Sequence, residues 1–102
     1  MEANSAYNLL EKYPDRVPII IKCHEKTLDL VRTKFLVPNN FTLGELMVVV
    51  RRYLKNLRPS EALYTFFNGK MYPQCAMISQ IFAVEQKNYH LTMILCKESV
   101  FG

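Results

Sequence analysis

The sequence has no cysteine pattern that suits zinc. Its three cysteines, Cys23, Cys75 and Cys96, stand far apart, whereas zinc sites take Cys or His ligands a few residues from one another. Cys23 and Cys96 fall in apolar, strand-like runs, which predicts buried free thiols in a reducing compartment. The first stretch, "MEANSAYNLLEKYP", lacks the basic and long apolar regions of a signal peptide. No apolar run approaches the roughly 18 residues that a membrane span requires. These absences predict a cytoplasmic protein that does not enter a bilayer unaided. Repeats, low-complexity segments and long linkers are also missing, and 102 residues leave room for one domain, 1–102. A catalytic constellation is missing too. Cys23 and His24 are neighbours on an expected strand, so they point to opposite faces and cannot serve as nucleophile and base. His90 has Glu85 and Glu98 near it in sequence but no matching hydroxyl or thiol. Neither an enzyme nor a cofactor is expected.

What is present is an ordinary globular composition, 50% hydrophobic and 22% charged. The net charge of +4 makes the surface lean basic. That favours acidic partners or anionic surfaces. It is too mild to imply nucleic acid, and no aromatic stripe interleaves with the charge.

Local signals set the order of elements. Ser5 is a candidate cap for a short helix with Leu9 and Leu10 as its apolar contacts, ended by Pro14. "VPIIIKC" reads as a strand, because three adjacent branched residues suit extended backbone with a buried face. Pro18 near its start is tolerable there and would be poor mid-sheet. "CHEKTLDL" is a polar connection, and "RTKFLVP" a second strand closed by Pro38. Thr42 and Glu45 form a capping box. Behind it Leu43, Leu46, Met47, Val50, Tyr53, Leu54 and Leu57 recur at helical spacing, and Arg51, Arg52 and Lys55 complement the helix C-terminus. "YTFF" is a third strand, and Asn68-Gly69 signals a hairpin turn. "MISQIFAVEQ" predicts a short helix with Ile78, Ile81, Phe82 and Val84 inward. "YHLTMIL" is a last strand, apolar enough to be central. The expected class is α+β: a four-stranded mixed sheet with the last strand beside the first, a helix on one face and a short N-terminal helix over 1–12. That is the β-grasp plan of ubiquitin-like proteins.

The stretches "EKYPDRVPIII", "KFLVPNNFTLGEL", "RRYLKNLRPSEALYTFFN" and "KESVFG" resemble the autophagy-related protein 8 family, the light chain 3 and GABA-receptor-associated-protein group. The likeness runs from about residue 11 to 102, with the motifs in order. It implies a ubiquitin-like modifier whose C-terminal tail, 97–102, ends in a Gly102 that is activated by E1-like and E2-like enzymes and joined to phosphatidylethanolamine. A cysteine protease would remove the lipid, and would prime the chain if residues followed Gly102. The lipidated form would sit on autophagosome membranes and recruit cargo receptors. Gly has no Cβ, so an enzyme can approach its carboxylate closely.

The same resemblance implies a site for peptides of the form aromatic-x-x-aliphatic, added as a strand to the edge of the second strand. The aromatic pocket would use Leu9, Ile19 or Pro18, Lys34, Leu36 and His90. The aliphatic pocket would use Phe35, Val37, Pro38, Phe41, Leu46 and Val49. Alternation along Lys34 to Pro38 sends Lys34 and Leu36 one way, Phe35 and Val37 the other. Arg16, Arg32, Lys34 and Arg52 would meet acidic residues flanking the motif. Leu46 and Val49 fit a plain helix core equally well, and the basic residues fit a solvated face.

The chain departs from the family pattern in ways that bear on peptide preference. The segment before "KYPDR" is shorter than usual, leaving one helix where relatives have two. Ser5 stands where an acidic residue is common, and the "HEKTLDL" loop is slightly shorter. His90 replaces a Phe near the first pocket, making it more polar and sensitive to pH near neutrality. Two other functions fit the same fold: a protein-conjugated modifier like the autophagy-related protein 12 branch, and an adaptor that is never conjugated. The former branch normally ends in Trp-Gly and lacks "KYPDRVP" and "FLVP".

Overall fold

In the computed structural model, which describes residues 2–97, Ile19, Ile20 and Ile21 lie within β1 (Arg16–Cys23). Branching at Cβ restricts χ1 and favours extended backbone. The strand is buried from Val17 to Ile21, as expected of a strand with neighbours on both edges and cover on both faces. In chain order the elements are α1 (Ala3–Lys12), β1, β2 (Lys34–Pro38), α2 (Leu43–Arg52), β3 (Tyr64–Phe67), α3 (Ile78–Glu85) and β4 (Leu91–Cys96). The sheet runs β2-β1-β4-β3. β1 and β4 are parallel, and the two outer pairings are antiparallel. This is the mixed sheet expected from the sequence, an α+β ubiquitin-like β-grasp with an N-terminal helix.

One face of the sheet carries the main core. Val17, Ile19 and Ile21 of β1, Phe35 and Val37 of β2 and Leu91, Met93 and Leu95 of β4 pack with Leu43, Leu46, Met47 and Val50 of α2 and Ile78 and Ile81 of α3. The alternate residues Pro18 and Ile20 are buried on the other face, where α1 packs on β1 and buries Ala6. Pro18 is harmless in this central strand for a positional reason. The Ile21 N–H donates to the Thr33 carbonyl at 2.8 Å, so odd-numbered β1 residues bond to β2. Pro18 therefore faces the β4 side, where pairing starts only at Ile19 and Leu91.

The capping box forms: the Thr42 hydroxyl accepts from the Glu45 N–H at 3.1 Å, and the Glu45 carboxylate accepts from the Thr42 N–H at 3.0 Å. Several boundaries differ from expectation. α2 ends at Arg52, before Tyr53, Leu54 and Leu57. The Val31 N–H donates to the Tyr53 carbonyl and the Lys55 N–H to the Asp29 carbonyl, both at 3.0 Å. Leu30 and Leu54 form a bridge. Pairing with the β1–β2 connection thus overrides helical periodicity. Lys55 lies past the helix end it was expected to complement. Ser5 is exposed inside α1, whose N-cap is Glu2, with no side-chain cap bond. His24 lies just past β1 and is exposed. The Asn68-Gly69 turn forms with both residues at positive φ, but the returning chain makes a single bridge, Phe67 with Lys70.

α3 shows the largest inversion. Val84 is 67% exposed, whereas Glu85 is buried at 6%. The carboxylate is fully occupied. It accepts from the Tyr72 hydroxyl and from the Asn68 amide at 2.9 Å, and Lys70 Nζ stands 3.4 Å away. The Tyr72 and Asn68 bonds, with Lys70 beside them, hold the Glu85 carboxyl below its ordinary range against the opposing effect of burial. The same bond pushes the Tyr72 hydroxyl up. The three cysteines are free thiols: Cys96 is buried, Cys23 half-buried and Cys75 exposed. Cys96 thus has the expected burial, and Cys23 falls short of it.

Candidate peptide-binding edge

β2 is an outer strand, so among the described residues one of its edges has no partner strand. Which groups face outward follows from parity. Ile21 bonds to Thr33, and the Asn39 N–H donates to the Asp15 carbonyl at 2.9 Å. Residues 33, 35, 37 and 39 therefore turn their backbone groups toward β1. The N–H and C=O groups of Lys34 and Leu36 turn away from the sheet. A row of such groups is a template for another strand.

Below this edge, on the core face, is a groove of about 170 Å³. It is lined by Phe35, Val37 and Pro38 of β2, Phe41 after it, and Leu46 and Val49 of α2. All six residues assigned to the aliphatic pocket meet here. Arg32, Leu36 and Tyr53 complete the lining. Leu46 is fully buried and also belongs to the core, while Val49 and Phe41 are partly buried against it. The groove floor is thus an extension of the core.

Above the edge lies the α1 face. Lys34 and Leu36 pair with Ile20 and Pro18, so these four side chains share that face. Leu9 is half-buried on α1, the helix packed against β1. His90 is buried one residue before β4, its Nδ1 3.2 Å from the Asn88 carbonyl oxygen. Ile19 does not belong to this set. It pairs with Phe35 on the opposite face and is fully buried in the main core, so of the two alternatives Pro18 is the residue on the α1 face.

Of the four assigned charges, Lys34 belongs to β2, Arg16 and Arg32 reach its carbonyls, and Arg52 ends α2. Arg16, Arg32, Lys34 and Arg52 are all exposed. Arg32 Nε donates to the Lys34 carbonyl at 2.9 Å. Its guanidinium stands 5.1 Å from the Phe35 ring centre and 5.6 Å from that of Tyr53, within cation–π range. Those two rings meet edge to face at 5.5 Å. Arg16 Nη1 lies 3.5 Å from the Leu36 carbonyl oxygen.

Sequence reasoning missed Tyr53 as a groove residue, because helical spacing assigned it to the core. It missed Arg32 as a wall because charge suggested solvent. The available signal was the aromatic pairing of Phe35 with Tyr53 across a short strand and a helix end, which periodicity does not encode.

At the other end of the chain, Lys97 is held at its backbone. Both Glu25 carboxylate oxygens accept from the Lys97 N–H at 3.1 Å, and Lys97 Nζ is 3.7 Å from Glu61. Gly102 lies outside the described residues, as does Glu98.

Over residues 2–102 the chain matches the family model described as "Autophagy protein Atg8 ubiquitin like". Autophagy-related protein 8d of Arabidopsis thaliana is 36% identical over 100 residues, a match covering 95% of this chain and 82% of that relative.

Proposed function

The chain belongs to the Atg8 family of ubiquitin-like autophagy proteins, and from that premise we propose that it is a modifier conjugated through Gly102 to phosphatidylethanolamine and a reader of aromatic-x-x-aliphatic peptides at the β2 edge. The single observation that supports the reader role best is the placement of two different surfaces on opposite faces of one open strand. In an extended peptide, residues separated by two spacers point to opposite faces. A peptide laid along β2 therefore sends its aromatic side chain toward Leu36 and Pro18 and its aliphatic side chain toward the groove. Main-chain bonds from Lys34 and Leu36 supply register, and the two surfaces supply choice. Arg16, Arg32, Lys34 and Arg52 attract acidic residues beside the motif. The partners on this reading are cargo receptors and adaptors.

The modifier role rests on the family and on Gly102. No helix among the described residues is long and apolar enough to cross a membrane. Conjugation would supply the anchor. One acyl chain holds only marginally, and two hold stably; phosphatidylethanolamine carries two. The lipidated form would reside on autophagosome membranes. E1-like and E2-like enzymes would act on the chain, and a cysteine protease would release it, so the protein is a substrate of enzymes with the Gly102 carboxylate as the reacting group.

Incubation with E1-like and E2-like enzymes, ATP and phosphatidylethanolamine vesicles tests this. Intact mass spectrometry is expected to find one added lipid, and deletion of Gly102 to abolish it. An unchanged lipid adduct in the deletion variant would refute conjugation at Gly102.

A further inference from the structure

We propose that Arg16 and Arg32 are displaceable caps on the open β2 edge, so that acidic residues flanking a peptide are needed to open the edge as well as to attract it. This rests on the peptide-reading role above and adds a mechanism of selection to it. The observation is the coincidence of two independent side chains on the two outward acceptors of one strand. Arg32 Nε donates to the Lys34 carbonyl at 2.9 Å, and Arg16 Nη1 stands 3.5 Å from the Leu36 carbonyl oxygen. Lys34 and Leu36 are the outward-facing residues between Thr33 and Val37, by the parity set through Ile21 with Thr33 and Asp15 with Asn39. A strand that adds to this edge needs those same acceptors.

Both arginines come from outside β2. Arg16 is the first residue of β1 and Arg32 precedes β2, so each reaches back over the edge from one end. Both are exposed, and among the described residues neither forms an ion pair with an acid. Arg32 is steadied instead by the Phe35 and Tyr53 rings. A guanidinium released from a neutral carbonyl gains by meeting a carboxylate, because charge-assisted bidentate pairs are stronger than bonds to a neutral acceptor. An acidic flank thus exchanges a weaker partner for a stronger one and frees the backbone acceptor in the same step. A neutral flank must break the cap without replacement. The device also guards the edge: two copies brought β2 to β2 would set Arg16, Arg32 and Lys34 against the same charges, and like charges across an interface disfavour pairing. The occupant selected is an extended peptide with acidic flanks.

The test measures calorimetric affinity for two peptides that share an aromatic-x-x-aliphatic core, one with acidic and one with neutral flanks. The variants are Arg16→Ala, Arg32→Met and their combination. Met keeps a long apolar chain near Phe35 and Tyr53 but has no donor. The neutral peptide is expected to bind the double variant about fivefold tighter, the equivalent of one restored hydrogen bond. The acidic peptide is expected to bind it more weakly, so that the preference between flanks collapses from both sides. A neutral peptide that binds the double variant no better than the native chain would overturn the caps while leaving the reading of the edge intact. Failure of both peptides to bind the native chain would overturn the reading of the edge and the caps with it. Concentration-dependent dimerisation of the double variant in sedimentation, without gain in peptide affinity, would make a second copy the excluded occupant and refute the selection of peptides.

Discussion

The two outer strands of the sheet treat their free edges in opposite ways. At β3 the chain covers its own edge at Phe67. The Phe67 N–H donates to the Lys70 carbonyl at 2.8 Å, and the Phe67 carbonyl accepts from the Lys70 N–H at 3.0 Å. Asn68 and Gly69, at φ 52 and 76, make that tight reversal. Asn68 then donates to both the Glu85 carboxylate and the Glu85 backbone carbonyl. At β2, among the described residues, no such turn exists, and its outward carbonyls are met by the side chains of Arg16 and Arg32. A sheet edge covered by its own backbone is occupied; one covered by side-chain cations can receive another strand. Neighbouring polar groups follow the same division: the β3 corner locks a carboxylate among three partners, and the β2 edge keeps its charges in solvent.

The contrast can be broken by substitutions at either end. Phe67 is fully buried, and its ring lies 6.0 Å from that of Tyr72. Phe67→Ala is expected to destabilise the fold by about 3–5 kcal/mol, as for other buried aromatic truncations, without altering peptide affinity of the molecules that remain folded. Denaturant unfolding and calorimetry at low temperature check both parts. A loss of affinity in the folded variant would mean that the two edges are coupled. Leu36→Ala should do the reverse. It is expected to weaken an aromatic-x-x-aliphatic peptide roughly tenfold, or about 1.4 kcal/mol, with little change in melting temperature. Unaltered affinity in Leu36→Ala and in Lys34→Ala alike would place the peptide elsewhere.

The smallest effect is a pH dependence. The folded-state value of Glu85 lies below its unfolded one. Its contribution to stability is therefore complete above the ordinary carboxylate range and is lost as the pH falls through the lower, folded value. Glu85→Gln keeps the shape but cannot titrate, so the decline in stability between neutral and acid pH should become shallower. Some slope will remain from Glu61, which the Arg58 backbone N–H and then Lys97 hold below the ordinary range. Unfolding free energy measured across that pH range decides the matter. An unchanged slope would show that the Glu85 cluster is not what ties down the β3 corner.

The pattern of success and failure in the sequence has a physical cause. Thr42 with Glu45 and Asn68 with Gly69 were legible because each depends on groups within a few residues. The runs of β1 and β4 were legible because two covered faces leave a continuous apolar signature. The end of α2 was not, since the bonds of Val31 to Tyr53 and Lys55 to Asp29 join segments distant in sequence. Val84 and Glu85 were assigned by hydropathy, which cannot anticipate that Tyr72, Asn68 and Lys70 converge on one carboxylate. At the candidate site, alternation along Lys34 to Pro38 gave the two faces correctly, and the groove gathers the six residues assigned to it. Periodicity did not reveal that Ile19 belongs wholly to the core, that Tyr53 walls the groove, or that two arginines reach the outward carbonyls.

Backbone amide exchange, read residue by residue with and without saturating acidic-flanked aromatic-x-x-aliphatic peptide, tests the difference between the edges most directly. The amides of Lys34 and Leu36 are expected to gain protection, while those of Tyr64 to Phe67 stay as they were. Protection that appears along Tyr64 to Phe67 instead, or none at Lys34 and Leu36 when the peptide is bound, would contradict the assignment of β2 as the receiving edge.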